Sequence, residues 1–184
     1  MKNYLKEDKK AKSKAFFFKK EVTVFDKKFL SFLEKNFSKY KKDIRICLHI
    51  NTTDKHHDMV LLNQKKNFYL KWLKNEKKGS LPHKHVDRGE TYHVIKGKMA
   101  VVLFNNNGTI KFSCVLNQNS IFRTPINTFH TQIPLTNYVI FHESRTGPLP
   151  KYGHCIFPSW MKKFKNNKKE VTKFHEQVKR RIGL

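Results

Sequence analysis

The sequence predicts a mainly β domain, a sandwich or barrel with an N-terminal and a C-terminal flanking helix. Three observations predict it: short strand-like runs at close spacing, an Asn-Asn-Asn-Gly turn signal at residues 105–108, and apolar residues three or four apart near both ends. The chain has 184 residues, which suits one domain with a single core. Its hydrophobic content of 38% excludes a disordered chain.

The N-terminal region is predicted to be a basic arm over residues 1–23, followed by a helix. The arm is rich in lysine, and we expect it to extend from the domain. Asp26 can cap the helix. The apolar face of the helix consists of Phe25, Phe29, Phe32, Leu33, Phe37 and Tyr40. Such a face packs on the body of a domain, so the helix belongs to the single domain expected over residues 24–160.

Short strands are predicted from residue 43 onward. In the first, residues 44–50, apolar side chains alternate with Arg45, Cys47 and His49, so that one face of the strand is polar. Further strands are predicted at residues 59–62, 68–73, 91–95, 98–104, 109–116, 120–123, 128–133 and 137–142. So many short strands at close spacing are typical of a sandwich or a barrel.

A basic C-terminal helix is predicted after Pro158, with Ser159 as its cap and residues 161–184 as its main part. Its apolar face consists of Trp160, Phe164, Val171, Phe174, Val178 and Ile182. We expect this face to pack on the barrel or on a partner subunit, so a homodimer is one expected assembly.

The formal net charge of +25 is concentrated at the two ends of the chain. Residues 1–42 hold 14 basic and 5 acidic residues, and residues 161–184 hold 9 and 2. Of the 39 basic residues six are arginine, and the rest are lysine in an asparagine-rich background. Arginine is the residue that pairs with phosphate and guanine edges, so this charge argues against a specific nucleic-acid partner. It favours an anionic small molecule instead.

The sequence shows no membrane span and no signal-peptide pattern. No run approaches the roughly 18 apolar residues that a spanning helix needs. The cysteines, Cys47, Cys114 and Cys155, are odd in number and widely spaced, which fits a reducing compartment. We therefore expect a cytoplasmic protein.

Four residues have the types and the spacing of a metal site. His83 and His85 are two apart, so on an extended chain both rings point to one side, and Glu90 follows across a loop. His130 comes from a later predicted strand. Three imidazoles and one carboxylate suit a divalent transition metal such as Fe, Mn, Ni or Zn, and they leave positions open on an octahedral ion.

The spacing of these ligands resembles the cupin superfamily. The first cupin motif, H-x-H, three or four residues, E, six residues and G, is matched over residues 83–97. The second motif, P-x-G, two residues and H, is matched over residues 125–130, except that Asn127 stands in the place of glycine. Asparagine tolerates the left-handed conformation, so the exchange is mild. The resemblance implies a cupin barrel, that is a double-stranded β-helix or jelly roll, with the four residues as metal ligands.

A narrower resemblance, to the WbuC family of cupin-fold metalloproteins, covers about residues 24–161. It rests on five segments: RICLH at 45–49, HDM at 57–59, PHKH at 82–85, FHESRTGP at 141–148 and FPSW at 157–160. Residues 67–78 look like an insertion relative to that family. Its members occur with bacterial O-antigen and other surface-polysaccharide genes, so the resemblance implies a sugar or nucleotide-sugar substrate.

Two residues outside the metal motif are candidates for moving a proton. Glu143 ends a predicted strand and is the best candidate acid or base. His49 lies on the polar face of the first predicted strand and is the second candidate. The structural alternative for Glu143 is pairing with a nearby arginine.

Three arginines and one tyrosine are candidates for binding substrate. Arg45, Arg123 and Arg145 are three of only six arginines among 39 basic residues, which favours binding of phosphate or carboxylate through two hydrogen bonds. Tyr92 has the same strand parity as Glu90 and is a candidate for lining the pocket. A structural salt bridge for Arg45 and core packing for Tyr92 are the open alternatives.

Three functions are compatible with these residues. The first is an isomerase- or epimerase-like enzyme, in which the metal acts as a Lewis acid on a sugar. The second is an Fe(II)-dependent oxygenase with the same ligands, and the third is a non-catalytic sugar-binding or regulatory cupin. A redox-inert metal that supports turnover without oxygen would exclude the oxygenase.

Overall fold

A computed structural model describes residues 5–9, 14–19, 24–40, 42–50, 55–74, 81–147, 155–164 and 167–184. The strands are β1 Leu5–Glu7, β2 Lys14–Phe18, β3 Ile44–Cys47, β4 His56–Gln64, β5 Thr91–Lys96, β6 Met99–Phe104, β7 Ile110–Leu116, β8 Ile121–Arg123, β9 Phe129–Pro134 and β10 Tyr138–Thr146. The helices are α1 Lys27–Tyr40, α2 Lys65–Leu73, a 3-10 helix Ser159–Phe164 and α3 Lys168–Arg181.

The strands form two sheets that face each other. The large sheet has the order β1-β2-β3-β4-β10-β5-β8, and the small sheet has the order β7-β6-β9. The core between them consists of Tyr92, Val94, Val139 and Phe141 from the large sheet and Met99, Val101, Leu103 and Leu116 from the small sheet. The predicted fold class, a mainly β barrel of the jelly-roll type with flanking helices, is confirmed.

Helices cover the outer faces of both sheets. On the large sheet, α1 packs through Leu33 onto a cluster that includes Ile44, Ile46 and Val60. On the small sheet, α2, the 3-10 helix and α3 bury Trp72, Phe164 and Phe174 against Val102 and Phe104. Strand β6 is therefore buried on both faces, which explains why all six of its residues are apolar. In the part of the chain that the structure describes, no helix is long and apolar enough to cross a membrane.

Two local predictions are confirmed in detail. The Oδ1 atom of Asp26 accepts a hydrogen bond from the backbone N–H of Phe29 at 2.9 Å, which caps α1 as predicted. The turn at residues 105–108 joins β6 to β7, and the N–H of Gly108 donates to the carbonyl of Asn105 at 2.9 Å. Gly108 has a φ of 87°, the left-handed conformation for which glycine is suited.

The predicted strand at residues 68–73 is wrong, because this segment forms α2. Phe68 and Trp72 are 4% and 1% exposed, whereas Leu70 between them is 48% exposed. A strand would place all three on one face, whereas a helix places residues four apart on one face and the residue midway between them on another. The helix forms part of the segment that looks like an insertion, and residues 75–78 of that segment lie outside the described residues.

The two ends of the chain also differ from the predictions. The expected arm supplies β1 and β2, and β2 pairs in parallel with β3, where Ala15 is fully buried. The predicted C-terminal helix is not continuous from Ser159, because a 3-10 helix precedes α3. The cap of α3 is Asn167, whose Oδ1 accepts from the N–H of Glu170 at 3.1 Å. The 3-10 helix and α3 nevertheless bury their apolar faces in one cluster on the barrel, as the periodicity predicts.

Candidate metal centre

The four predicted ligands come together in one buried cluster. His83 and His85 lie in the segment before β5, Glu90 directly precedes β5, and His130 lies on β9. Two reciprocal backbone hydrogen bonds join the first and last of them: the N–H of His83 donates to the carbonyl of His130 at 3.1 Å, and the reverse bond measures 2.9 Å. The backbone therefore holds two ligands together that are 47 residues apart in the sequence.

The side chains of this cluster converge on a common point. One ligand atom from each of His83, His85, Glu90 and His130 lies within 4.8 Å of all the others. The Nε2 atom of His85 is 3.0 Å from Glu90 Oε1, and the Nε2 atom of His130 is 3.2 Å from Glu90 Oε2. All four residues are between 1% and 3% exposed. Such a buried group of imidazoles and one carboxylate is what a divalent ion requires.

Backbone carbonyls orient two of the imidazole rings. The Nδ1 atom of His83 is 2.8 Å from the carbonyl of Leu81, and the Nδ1 atom of His130 is 2.8 Å from the carbonyl of Thr128. A carbonyl can only accept, so Nδ1 carries the proton and Nε2 keeps its lone pair for a metal. Burial, followed by the neighbouring His130, lowers the pKa of His83 to about 3, so its ring is neutral at neutral pH. The geometry of these residues fits a transition metal, and the Nδ1 contacts of His83 and His130 leave their Nε2 atoms available to it.

The carboxylate of Glu90 is held by further partners. The hydroxyl of Tyr92 donates to Glu90 Oε2 at 2.6 Å, and Arg145 Nη1 donates to Glu90 Oε1 at 2.9 Å. Burial alone would raise the pKa of Glu90, but its contacts with His130 and His85 and the charge of Arg145 hold it well below its usual range. Glu90 is therefore ionised and has a fixed orientation, as a metal ligand requires.

Two residues in the left-handed conformation shape the motif loops. Gly97 has a φ of 85°, and a Cβ atom there would lie 2.6 Å from Thr136 Oγ1. Asn127, which replaces the motif glycine, has a φ of 54°. Its N–H donates to the carbonyl of His85 at 2.8 Å, so this turn contacts the ligand segment directly. The sequence-based expectation that asparagine can serve at this position is confirmed.

Glu143 lies beside Glu90 on the inner face of the large sheet. It is opposite Tyr92 on β5 and opposite Met59 on β4, and it is 7% exposed. Burial, and after it the negative charge of Glu90, raises the pKa of Glu143 to about 8. The structure therefore brings this predicted acid or base to the metal cluster.

Two of the three candidate arginines belong to the same inner face. Arg45 and Arg145 lie on β3 and β10, and among the described residues neither Nε atom has a hydrogen-bond partner although both atoms are buried. A buried guanidinium donor without a partner is costly unless a ligand supplies an acceptor. The third, Arg123, is exposed on the edge strand β8, opposite Thr91 rather than Tyr92, and the structure does not bring it to the cluster.

Tyr92 is fully buried, and its hydroxyl accepts from Gln132 Nε2 while it donates to Glu90. It therefore stands behind the carboxylate ligand and not at an open surface. The second candidate proton carrier, His49, is 7% exposed, and its Nε2 atom lies 2.5 Å from His57 Nδ1.

Sequence reasoning missed two residues of a second buried group, which consists of Cys47, His49 and His57. The sequence pattern assigns neither Cys47 nor His57 to a site. Cys47 shares strand parity with Arg45 and His49, which was a usable signal. No comparable signal identified His57, because its place opposite β3 depends on the pairing of β3 with β4.

Comparison with known proteins finds likeness in structure alone. No protein-family model matches the sequence, and no curated protein matches it. KdgF from Halomonas sp. is 16% identical with a TM-score of 0.40, and the match covers 59% of this chain and 81% of KdgF. An oxalate decarboxylase from Lactobacillus farciminis, in a formate complex, is 15% identical with a TM-score of 0.43, and the match covers 59% and 29% of the two chains.

CapF, in complex with an inhibitor, is 16% identical with a TM-score of 0.46, and the match covers 64% of this chain and 31% of CapF. This chain therefore spans less than a third of the last two proteins. Likenesses this distant carry no argument about family, ligand or reaction.

Proposed function

We propose that the chain is a metal-binding cupin of the WbuC type that acts on an anionic sugar or nucleotide-sugar as an isomerase- or epimerase-like enzyme. The observation that carries the proposal is the convergence of His83, His85, Glu90 and His130 within 4.8 Å. A divalent ion at these ligands supplies Lewis-acid chemistry, which eases enolisation next to a carbonyl. The role in surface-polysaccharide biosynthesis rests on the sequence resemblance alone.

Arg45 and Arg145 support an anionic substrate. Both place a buried Nε donor without a partner on the inner face that carries the cluster, in the part of the chain that the structure describes. A substrate phosphate or carboxylate supplies the acceptor that these donors lack, and the planar guanidinium binds such a group through two bonds. The function that we assign to this pair is to hold and orient the charged end of the substrate.

Glu143 is the group that we assign to proton transfer. It lies on β10 next to the ligand carboxylate, and burial favours its neutral, proton-carrying form. His49 is the second candidate for this role, on the continuation of β3. Tyr92 holds the carboxylate ligand in its orientation through the hydroxyl bond and does not contact substrate in our proposal.

Metal analysis of protein purified without a histidine tag tests the metal centre. We expect about one equivalent of transition metal at these four ligands, lost in a His83→Ala/His130→Ala variant because two of four ligands are removed. His56→Ala is the matched control, because that ring is exposed on the first residue of β4. If the double variant retains its metal as well as the control does, the metal centre that we propose does not exist.

A second experiment tests the anionic substrate. A set of nucleotide-sugars and neutral sugars is assayed for binding and turnover with wild-type protein, Arg45→Gln and the exposed control Arg123→Gln. Loss of a charged hydrogen bond costs about 1.5–3 kcal/mol, so Arg45→Gln is expected to weaken binding of the anionic ligand about 10-fold to 150-fold. Equal affinity in Arg45→Gln and Arg123→Gln would contradict this role, and binding without turnover on any sugar would favour a non-catalytic cupin.

A further inference from the structure

We propose that Cys47, His49 and His57 form a second metal site, separate from the four-ligand cluster, for a divalent ion such as zinc that accepts sulfur and nitrogen ligands. The inference does not depend on the reaction proposed above. It rests on the geometry, the burial and the ligand chemistry of these three side chains.

The sheet brings the three residues together from two neighbouring strands. Cys47 ends β3 and pairs with Met59, and His57 lies two residues before Met59 on β4. His57 therefore shares the face of Cys47, because residues two apart on a strand point to the same side. The N–H of Leu48 donates to the carbonyl of Asp58 at 3.0 Å, which extends the pairing beyond Cys47 and carries His49 alongside His57.

The three ligand atoms are close together and shielded from water. One ligand atom from each residue lies within 4.8 Å of the other two. Cys47, His49 and His57 are 0%, 7% and 1% exposed. The Nε2 atom of His57 is buried and has no hydrogen-bond partner among the described residues. A buried polar atom of this kind costs free energy that a metal bond would recover.

The two imidazoles need only a small movement to share an ion. His49 Nε2 and His57 Nδ1 are 2.5 Å apart, the separation of a short hydrogen bond. Two nitrogens on one tetrahedral zinc ion are about 3.3 Å apart, because each Zn–N bond is about 2.0 Å long. The rings must therefore separate by less than an ångström, or His57 must turn its second nitrogen to the ion.

The donor set selects the kind of ion. One thiolate and two imidazoles are ligands for zinc or copper and are poor ligands for magnesium or calcium. Binding releases the thiol proton to solvent, because the thiolate is the form that ligates. Burial raises the pKa of the Cys47 thiol to about 11, and the charges of Arg45 and Arg145 oppose this increase. A bound metal ion favours the thiolate directly, because a coordinating thiol is deprotonated. An ion at this site occupies His49, which leaves Glu143 as the remaining candidate for proton transfer.

Cobalt titration of the metal-free full-length protein tests the second site directly. A cobalt–thiolate bond gives an intense charge-transfer band in the near ultraviolet, which the four-ligand cluster, with no sulfur ligand, cannot produce. We expect two equivalents of cobalt and the thiolate band in wild-type protein. We expect one equivalent and no band in Cys47→Ser, while Cys114→Ser and Cys155→Ser serve as matched thiol controls and retain the band.

A complementary pair of variants separates the two sites. His83→Ala/His130→Ala is expected to lose one equivalent of cobalt and to keep the thiolate band. His57→Ala is expected to weaken cobalt binding at the thiolate about 10-fold or more, and it serves as the second variant if Cys47→Ser does not fold. A band that survives Cys47→Ser or disappears with Cys155→Ser would overturn the proposal, and so would a single equivalent of cobalt without any thiolate band.

Discussion

Glu90 has more partners than a metal ligand alone requires. Its two oxygens contact His85 and His130, and they also accept from Arg145 and Tyr92. Partners of this kind fix the direction of a carboxylate before a metal arrives, and their loss reduces metal affinity even though they never touch the ion. Tyr92, which bonds to Glu90, therefore offers a test of the metal site that does not require a known substrate.

Replacement of Tyr92 by phenylalanine is expected to weaken metal binding about 10-fold to 100-fold. The change removes the 2.6 Å hydrogen bond to Glu90 and keeps the aromatic ring in the core. Tyr69→Phe is the control, because its hydroxyl bonds to Thr172 on the surface. Competition with a chelator of known affinity measures the difference, and equal metal affinities for the two variants would show that Tyr92 does not support the ligand.

The sequence predicted that four candidate ligands come together, but it did not predict what surrounds them. His83, His85 and Glu90 are close in the chain, and their spacing alone places them together. The positions of Arg123 and His57 relative to the cluster could not be predicted in this way, because they depend on the register of β8 with β5 and of β4 with β10. Register is set by packing across the whole sheet, and a single sequence does not display it.

The packing of α2 depends on one aromatic residue. The ring of Trp72 stacks on Phe174 with centroids 5.2 Å apart and also contacts Phe164 and His175. This explains why the segment folds as a helix although its aromatic residues favour strands, since α3 and the 3-10 helix provide the surface that it buries.

Trp72→Ala is expected to lower the free energy of unfolding by about 3–5 kcal/mol, because it leaves a cavity between α2 and α3. Leu70→Ala on the same helix is expected to cost less than about 1 kcal/mol, since that side chain is largely exposed. Urea unfolding followed by circular dichroism gives both values. Comparable losses in the two variants would mean that α2 is not packed as described.

His175 makes the attachment of α3 sensitive to acid. Burial, and after it the charge of Lys179, lowers the pKa of His175 to about 4. The unfolded chain, with an ordinary pKa of about 6.5, takes up this proton first, so stability falls as the pH falls from about 6.5 towards 4.

The substitution His175→Phe is expected to remove part of this acid sensitivity. Between pH 7 and pH 5 wild-type protein should lose about 2 kcal/mol more stability than the variant, because only the wild-type ring must stay neutral in the fold. Urea unfolding of both proteins at the two pH values provides the measurement. If the two proteins lose stability in parallel, His175 does not titrate in the way that its burial implies.

The net charge of +25 acts on charged ligands before they reach the protein. A strongly positive protein attracts anions before contact, and this attraction weakens when the Debye length falls from about 30 Å at 0.01 M salt to about 8 Å at 0.15 M. Much of the charge lies near the chain ends, including the exposed Arg180 and Arg181 at the end of α3.

The association rate of a nucleotide-sugar is therefore expected to fall about 10-fold between these two salt concentrations. The rate for a neutral sugar should change little, because it carries no charge to be steered. An Arg180→Gln/Arg181→Gln variant should show a smaller dependence on salt than wild-type protein. Stopped-flow measurements separate the cases, and equal salt dependence for charged and neutral ligands would exclude steering by the net charge.

The overall architecture could be predicted from the sequence because many separate segments along the chain indicate it. The alternating residues 44–50, the apolar run at residues 99–104 and the turn at residues 105–108 each indicate the same barrel. The layers outside the barrel were harder to predict, because the pairing of β2 with β3 and the packing of α2 on the small sheet depend on residues that are distant in the sequence.

Strand β10 lies beside both candidate metal sites. Arg145 is opposite His57, which belongs to the second site, and Glu143 is opposite Tyr92, which bonds to Glu90 of the first. On the outward face of β10, the Nε2 atom of His142 lies 3.0 Å from Asp58 Oδ1. Insertion or deletion of a single residue in β10 before His142 would exchange the two faces for the residues that follow. Glu143 and Arg145 would then leave the interior together, and His142 would enter it. Point substitutions in β10 therefore preserve which positions face the interior, whereas a change in the length of the strand does not.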